Sequence, residues 1–139
     1  MKCKKLGSIY FVRIDKNEEI LSELKKVCSQ YNIKLGKISG IGAVDRATIG
    51  FFEPAVKKYH KTELTGDHEI TTLTGNITTM NDEIYLHVHI NLANCENKTF
   101  GGHLNEAFVS ATCEIIIVEF TGEVGRFFNE SSGLNLLDV

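Results

Sequence analysis

The hydrophobic residues near the start of the chain follow first a strand period and then a helix period. Residues 8–14 are rich in β-branched and aromatic side chains and predict a first strand. An apolar stripe follows at the spacing i, i+4, i+7 and i+11, formed by Ile20, Leu24, Val27 and Tyr31. This spacing predicts an amphipathic helix. Asp15 or Asn17 is placed to cap it, and Glu18 and Glu19 suit its positive first turn.

Further apolar segments, separated by glycine, asparagine and aspartate, predict additional strands. They are residues 35–41, 47–52, 70–77, 84–92 and 114–120. Within the last, residues 115–118 are all apolar, which predicts a central strand covered on both faces. The only proline, Pro54, falls in a predicted turn. The pattern predicts a single α+β domain over residues 1–139, with a largely antiparallel mixed sheet packed on one main helix.

Three of the five histidines lie within 17 positions of one another. His87 and His89 are one residue apart in a predicted strand, so their side chains point to the same face. His103 follows Gly101 and Gly102, and a turn at this diglycine would bring its imidazole over that face. Three neutral imidazoles suit zinc or another divalent transition metal at about 2.0 to 2.1 Å, with a fourth position open. The alternative is three half-buried histidines satisfied by hydrogen bonds.

The remaining histidines and the first glycine pair are interpreted structurally. His60 and His68 stand in polar surroundings and are predicted to be surface residues. Gly40 and Gly42 resemble half of a nucleotide-binding fingerprint, but no third glycine or helical pattern follows. This glycine pair therefore predicts a strand bend or a close contact between backbones.

Other polar residues could complete a chemical site. Glu114 and Glu69 are candidate catalytic carboxylates that could orient an imidazole or act as a base, and the alternative is strand-end residues in solvent. Arg126 could bind an anionic substrate or pair with one of these carboxylates. Cys113 is a poor candidate nucleophile because no histidine lies near it in sequence.

Composition limits the classes of partner. The 139 residues are 42% hydrophobic, which is enough for one sizeable core. The formal net charge of −3 and the pI of about 5.9 give no overall attraction to nucleic acid or to anionic membranes. Two short basic clusters are interpreted as solvated ends and turns: Lys2, Lys4 and Lys5, and Lys57 and Lys58.

The cysteines and the N-terminal region predict a cytoplasmic protein. Four widely spaced cysteines without a C-x-x-C pair are expected to be free thiols: Cys3, Cys28, Cys95 and Cys113. The apolar run 9–12 is interrupted by Arg13 and is too short for a signal-peptide core or a membrane span. No membrane association is expected.

Several short motifs occur in an order that is similar to a known family. They are Gly40-Ile41-Gly42-Ala43, residues 69–76, Leu86-His87-Val88-His89, Gly101-Gly102-His103-Leu104, Thr112-Cys113-Glu114 and Arg126-Phe127. Together they resemble the Plants and Prokaryotes Conserved domain, and the resemblance runs from Arg13 to about Leu136. Its most specific part is the Gly-Gly-His-Leu block with the upstream His-x-His. Asn17 stands where members of that family often carry glycine, and asparagine tolerates left-handed geometry next best.

The resemblance implies a compact α+β domain that forms a homotrimer. In plants this domain follows an AT-hook, a basic segment that enters the minor groove, and a DNA-binding label has spread from there to bacterial members. This chain contains no such basic, proline-containing segment. Direct DNA binding is therefore disfavoured.

Two classes of function remain open at this stage. The first is a homotrimeric metal-binding module with a regulatory, sensing or adaptor role, whose candidate partners are a protein or a small anionic ligand. The second is a small zinc-dependent hydrolase or lyase, in which the metal lowers the pKa of bound water to about 7. No complete acid-base constellation stands beside the histidines in the sequence, which favours the binding module.

Overall fold

Eight strands and one helix are present in the computed structural model, which describes residues 1–139. In chain order they are β1 Lys2–Leu6, β2 Ile9–Asp15, α1 Ile20–Tyr31, β3 Gly36–Glu53, β4 Lys58–Met80, β5 Glu83–Ala93, β6 Thr99–Glu119, β7 Gly125–Asn129 and β8 Leu134–Asp138. Six strands form one sheet of order β1-β2-β6-β3-β4-β5, and β5 also pairs with β6. Strands β7 and β8 form a separate two-stranded ribbon. The predicted α+β class is confirmed, and every strand pair is antiparallel.

Helix α1 packs its predicted apolar stripe against the sheet. Ile20, Leu24 and Val27 have no exposed surface, and the Tyr31 ring lies 5.1 Å from the Tyr10 ring between centroids. The predicted caps were wrong. The helix begins one residue after Glu19, whose side chain accepts hydrogen bonds from two backbone N–H groups of the first turn.

Asp15 and Asn17 have other positions in this connection. Asp15 is still part of β2, so its backbone cannot begin the helix. Asn17 adopts the left-handed backbone conformation at φ 69° that was expected for it.

Strand β3 joins two predicted strands into one. Apart from Leu35, the patterns 35–41 and 47–52 lie in a single strand of 18 residues. Register shifts between Gly40 and Gly42 and again between Val44 and Arg46 interrupt its alternation, so the sequence shows two fragments. The predicted close backbone contact is confirmed, because a Cβ on Gly42, at φ 156°, would lie 2.4 Å from the Thr112 carbonyl oxygen.

Strands β4 and β6 also extend far beyond the predicted segments. The patterns 70–77 and 114–120 correspond to the C-terminal parts of strands of 23 and 21 residues. Their N-terminal parts carry many polar residues and were not recognisable from alternation. The diglycine lies inside β6, so the prediction that it forms a turn was wrong. The short strands β1, β7 and β8 were not predicted either; β1 is an edge strand, and its exposed lysines suit that position.

The core lies between helix α1 and the inner face of the sheet. It contains 24 buried apolar residues, among them Ile115 and Ile117 of β6. The central position predicted for this segment is confirmed, because β6 pairs with both β2 and β3. Coverage on both faces is not observed in this chain, since Ile116 points outward and is 39% exposed. The only helix is not long and apolar enough to cross a membrane.

Candidate metal centre

Strand β5 supplies two histidines to the outward face of the sheet. Val88 and Ile90 are buried in the core, while His87 is half-buried and His89 is exposed on the opposite face. This arrangement follows from the two-residue period of a strand, as predicted. His87 and His89 therefore lie side by side, with their ring centroids 5.2 Å apart.

Strand β6 supplies His103 directly opposite His89. The two residues are paired in register, and the turn joining their strands lies at 94–98. The glycines before His103 allow neighbouring strands to approach closely, since a Cβ on Gly102 would lie 2.7 Å from the Gly50 carbonyl oxygen of β3. His103 is thus brought to its partners by strand pairing.

The three imidazoles form a cluster with the dimensions of a small metal site. The centroid of His103 lies 5.2 Å from that of His87 and 5.5 Å from that of His89. One potential ligand atom from each ring lies within 4.8 Å of the others. A tetrahedral zinc ion at about 2.0 to 2.1 Å needs ligand atoms about 3.4 Å apart, so modest side-chain rotation would close the site. The residues present therefore fit such an ion.

The electrostatics favour neutral imidazoles, which is the form that binds metals. Burial is the main reason why the pKa of His87 is lowered to about 4, and the nearby His103, Arg126 and His89 contribute to the same shift. The pKa of His103 is also lowered, first by burial and then by His89. Both rings therefore offer a lone pair near neutral pH.

The histidines outside the cluster are satisfied by hydrogen bonds. His60 lies 2.9 Å from Glu53, and Nδ1 of His68 lies 2.7 Å from the Gly66 carbonyl oxygen. His68 is buried beside Phe100, so its predicted surface position was wrong; its backbone carbonyl partner makes burial tolerable. The three clustered rings have no hydrogen-bond partner in the protein, so their nitrogen atoms are free to bind an ion.

Arg126 is brought beside the histidines by the β7–β8 ribbon. Its guanidinium donates hydrogen bonds to the Asn76 side-chain oxygen at 2.9 Å, the Thr78 hydroxyl at 2.8 Å and the Asn135 carbonyl at 2.9 Å. It also stacks over the Tyr85 ring, 4.7 Å from its centroid. Arg126 thus pairs with neutral groups and not with the carboxylates suggested for it.

The two candidate carboxylates lie away from this cluster. Glu114 is on the outward face of β6, where it is in register with Arg13 and Ile41 and lines a different cavity. Glu69 is on β4 opposite Ala93, at the far end of its pairing with β5. Cys113 is buried, and its pKa is raised to about 12 by burial, so it is not a ready nucleophile.

A cavity of about 840 Å³ opens beside the histidines. Its wall consists mainly of aromatic and aliphatic side chains, which β3, β4, β5 and the β7–β8 ribbon supply. Sequence reasoning did not find this wall. The sequence signal was the apolar content of 127–137, but nothing local showed that this segment folds over the histidines.

Comparison with known proteins agrees with this architecture. A structure from Bacteroides thetaiotaomicron, provisionally described as a DNA-binding protein, is 35% identical with a TM-score of 0.96, over 99% of this chain and 96% of that chain. A metal-containing protein from Archaeoglobus fulgidus is 32% identical with a TM-score of 0.88, over 95% of this chain and 94% of that chain.

One curated relative is much longer than this chain. The bifunctional protein GlmU from a Synechococcus strain is 25% identical over 119 residues, which are 80% of this chain and 17% of that protein. The chain thus spans only a small part of that relative's length.

The family model described as the Plants and Prokaryotes Conserved domain matches residues 1–121, so the chain belongs to that family.

Proposed function

We propose that the protein binds one divalent transition-metal ion per chain at His87, His89 and His103, and that zinc suits this donor set best. The observation that carries the proposal is the convergence of three imidazoles without hydrogen-bond partners, with ligand atoms within 4.8 Å of one another. The metal-containing relative from Archaeoglobus fulgidus supports it.

The site suits a binding module with a regulatory, sensing or adaptor role better than a hydrolase or lyase. Bound zinc would supply positive charge and an open coordination position. A hydrolytic reaction also needs a group that accepts a proton. No carboxylate lines the cavity beside the histidines, because Glu69 and Glu114 lie elsewhere. Free cysteines agree with the cytoplasmic location that we propose for this role.

Metal content tests this function directly. The double variant His87→Ala and His89→Ala is expected to lose stoichiometric zinc in elemental analysis of the purified protein, while the wild type carries about one ion per chain. His60→Ala is the matched control, because His60 is outside the cluster and pairs with Glu53. Unchanged metal content in the double variant would contradict the site. A hydrolase substrate screen on the loaded protein tests the enzymatic alternative.

We further propose that three copies assemble side by side through the outward face of the sheet. Ile41 is 59% exposed, Phe11 is 46% exposed, and Phe11 is in register with the 39% exposed Ile116. A contiguous apolar patch of this kind is typical of a protein interface. A second copy of the chain would remove it from water.

Light scattering tests the assembly. The wild type is expected at three times the chain mass of 15.5 kDa, and Ile41→Asp at a lower mass. Val56→Asp is a control, because Val56 is 62% exposed and lies in the turn between β3 and β4. A monomer mass for the wild type at micromolar concentration would exclude the trimer.

Direct DNA binding is not part of the proposed function. Three chains at −3 each carry −9, so few phosphate contacts and little counterion release are expected. A fluorescence anisotropy titration near physiological salt should show no submicromolar binding. Tight binding that weakens steeply as salt rises would restore the DNA-binding role.

A further inference from the structure

The cavity beside the histidines combines positive charge with an apolar wall. We propose that it binds a small organic carboxylate, with its anionic head between the metal position and Arg126 and its hydrocarbon body against the wall. This inference rests on the proposed metal site and names the class of ligand that the site takes.

The charge in the cavity is not balanced by any acidic residue. Arg126 is the only arginine, lysine, aspartate or glutamate among the lining residues. Its three hydrogen bonds go to neutral oxygens of Asn76, Thr78 and Asn135. Arg126 is a half-buried cation that is paired only with neutral groups, and the proposed metal ion beside it adds further positive charge. This arrangement favours an anionic ligand between the two cations.

Arg126 is also positioned to donate to a ligand. A guanidinium has five N–H donors, and three are used here, so about two remain. The bonds to β4 and β8 and the stacking on Tyr85 hold the guanidinium plane in place. This fixed geometry reduces the entropy lost when a carboxylate binds.

The wall around this charge is apolar and exposed to solvent. Phe51 of β3 is 65% exposed and Phe128 of β7 is 57% exposed, yet both line the same cavity. Leu134, Leu136 and Leu137 of β8 are also exposed and complete the wall. The volume of about 840 Å³ is in the range of small-molecule sites. Apolar groups around one fixed cation match an amphiphilic anion, and a purely inorganic anion would leave this wall in water.

Calorimetric titration of zinc-loaded protein with acetate, butanoate and hexanoate tests the inference. Each methylene buried against the wall should tighten binding about fourfold. Hexan-1-ol, which has the same chain without the charge, should bind at least tenfold more weakly than hexanoate. The proposal would be overturned if all three acids bound with equal affinity, or if hexan-1-ol bound as tightly as hexanoate.

Two variants separate the head from the body of the ligand. Arg126→Gln should weaken hexanoate binding at least tenfold. Arg126→Lys retains the positive charge and should recover part of the lost affinity. Phe51→Ala should reduce the gain in affinity from butanoate to hexanoate and leave the affinity for acetate unchanged. Because the Phe51 side chain is exposed, this substitution leaves the fold intact. Arg46→Gln, which removes a guanidinium stacked on Phe108 outside this cavity, should bind hexanoate as the wild type does. Full hexanoate affinity in Arg126→Gln would overturn the proposal.

Zinc affinity measured in the same samples separates this inference from the proposed function. Stoichiometric zinc without hexanoate binding would refute the carboxylate site and leave the metal site standing. Hexanoate binding that depends on Arg126 in a protein that takes no zinc would refute the metal site and, with it, the placement of the anionic head between a metal ion and Arg126. Failure of both titrations would refute both.

Discussion

Replacing His89 by alanine should remove most of the stabilisation of the fold by zinc without changing the stability of the metal-free protein. The His89 side chain is exposed, points away from the core and forms no hydrogen bond within the protein. Its removal creates no cavity, and such surface changes alter the free energy of unfolding by at most about 0.5 kcal/mol. Its effect should therefore be confined to metal binding.

The size of the effect follows from ligand linkage. Free zinc at 100 times its dissociation constant stabilises the folded state by about 2.7 kcal/mol. For 139 residues the entropy of unfolding is about 0.29 kcal/mol/K, so this corresponds to a rise in Tm of about 9 °C. A variant that binds zinc 100-fold more weakly retains about 0.4 kcal/mol, or about 1 °C.

Differential scanning calorimetry with zinc and with a chelator measures this increment at one fixed protein concentration. His60→Ala should retain the full zinc-dependent rise, because His60 is paired with Glu53 outside the cluster. The reasoning would be refuted if His89→Ala kept the wild-type increment. It would also be refuted if zinc failed to raise the Tm of the wild type.

Three other predictions concern pH, backbone packing and thiol reactivity. Because the pKa of His87 is about 4 in the folded protein and about 6.5 when unfolded, the unfolded chain binds more protons between these values. The metal-free protein should thus lose stability as pH falls from 6.5 to 4 in urea titrations, and His87→Asn should show a smaller loss. Gly102→Ala should destabilise the fold by about 1 to 3 kcal/mol and weaken zinc binding, since its Cβ would lie 2.7 Å from a backbone carbonyl oxygen. A Cβ on Gly101 would lie 3.2 Å from the Asn91 side-chain oxygen and 3.4 Å from the Ile90 carbonyl oxygen, so Gly101→Ala should have a smaller effect on both measurements. A thiol reagent should modify the exposed Cys95 in the native protein and reach Cys113, whose pKa is raised to about 12 by burial, only on unfolding; equal rates would contradict this burial.

The family, the main helix and the shared face of two histidines could be predicted from the sequence because they depend on local patterns. The helix stripe through Leu24 and Val27 follows the 3.6-residue period, and the shared face of His87 and His89 follows the two-residue period of a strand. The glycine before His103 marked a close backbone approach, although its position inside a strand could not be predicted. Strand ends and the short ribbon were missed, because bulges and polar stretches break the alternation.

By itself, the sequence determined which residues carry chemistry and which of their neighbours share a face with them. Only the tertiary structure decided which of these residues meet. Strand register places His103 opposite His89, and the β7–β8 ribbon places Arg126 beside them, while Glu69 and Glu114 are carried to other parts of the sheet. The physical reason is that alternation along a strand is a local property of the backbone, whereas register and ribbon packing are selected by contacts between residues far apart in the chain.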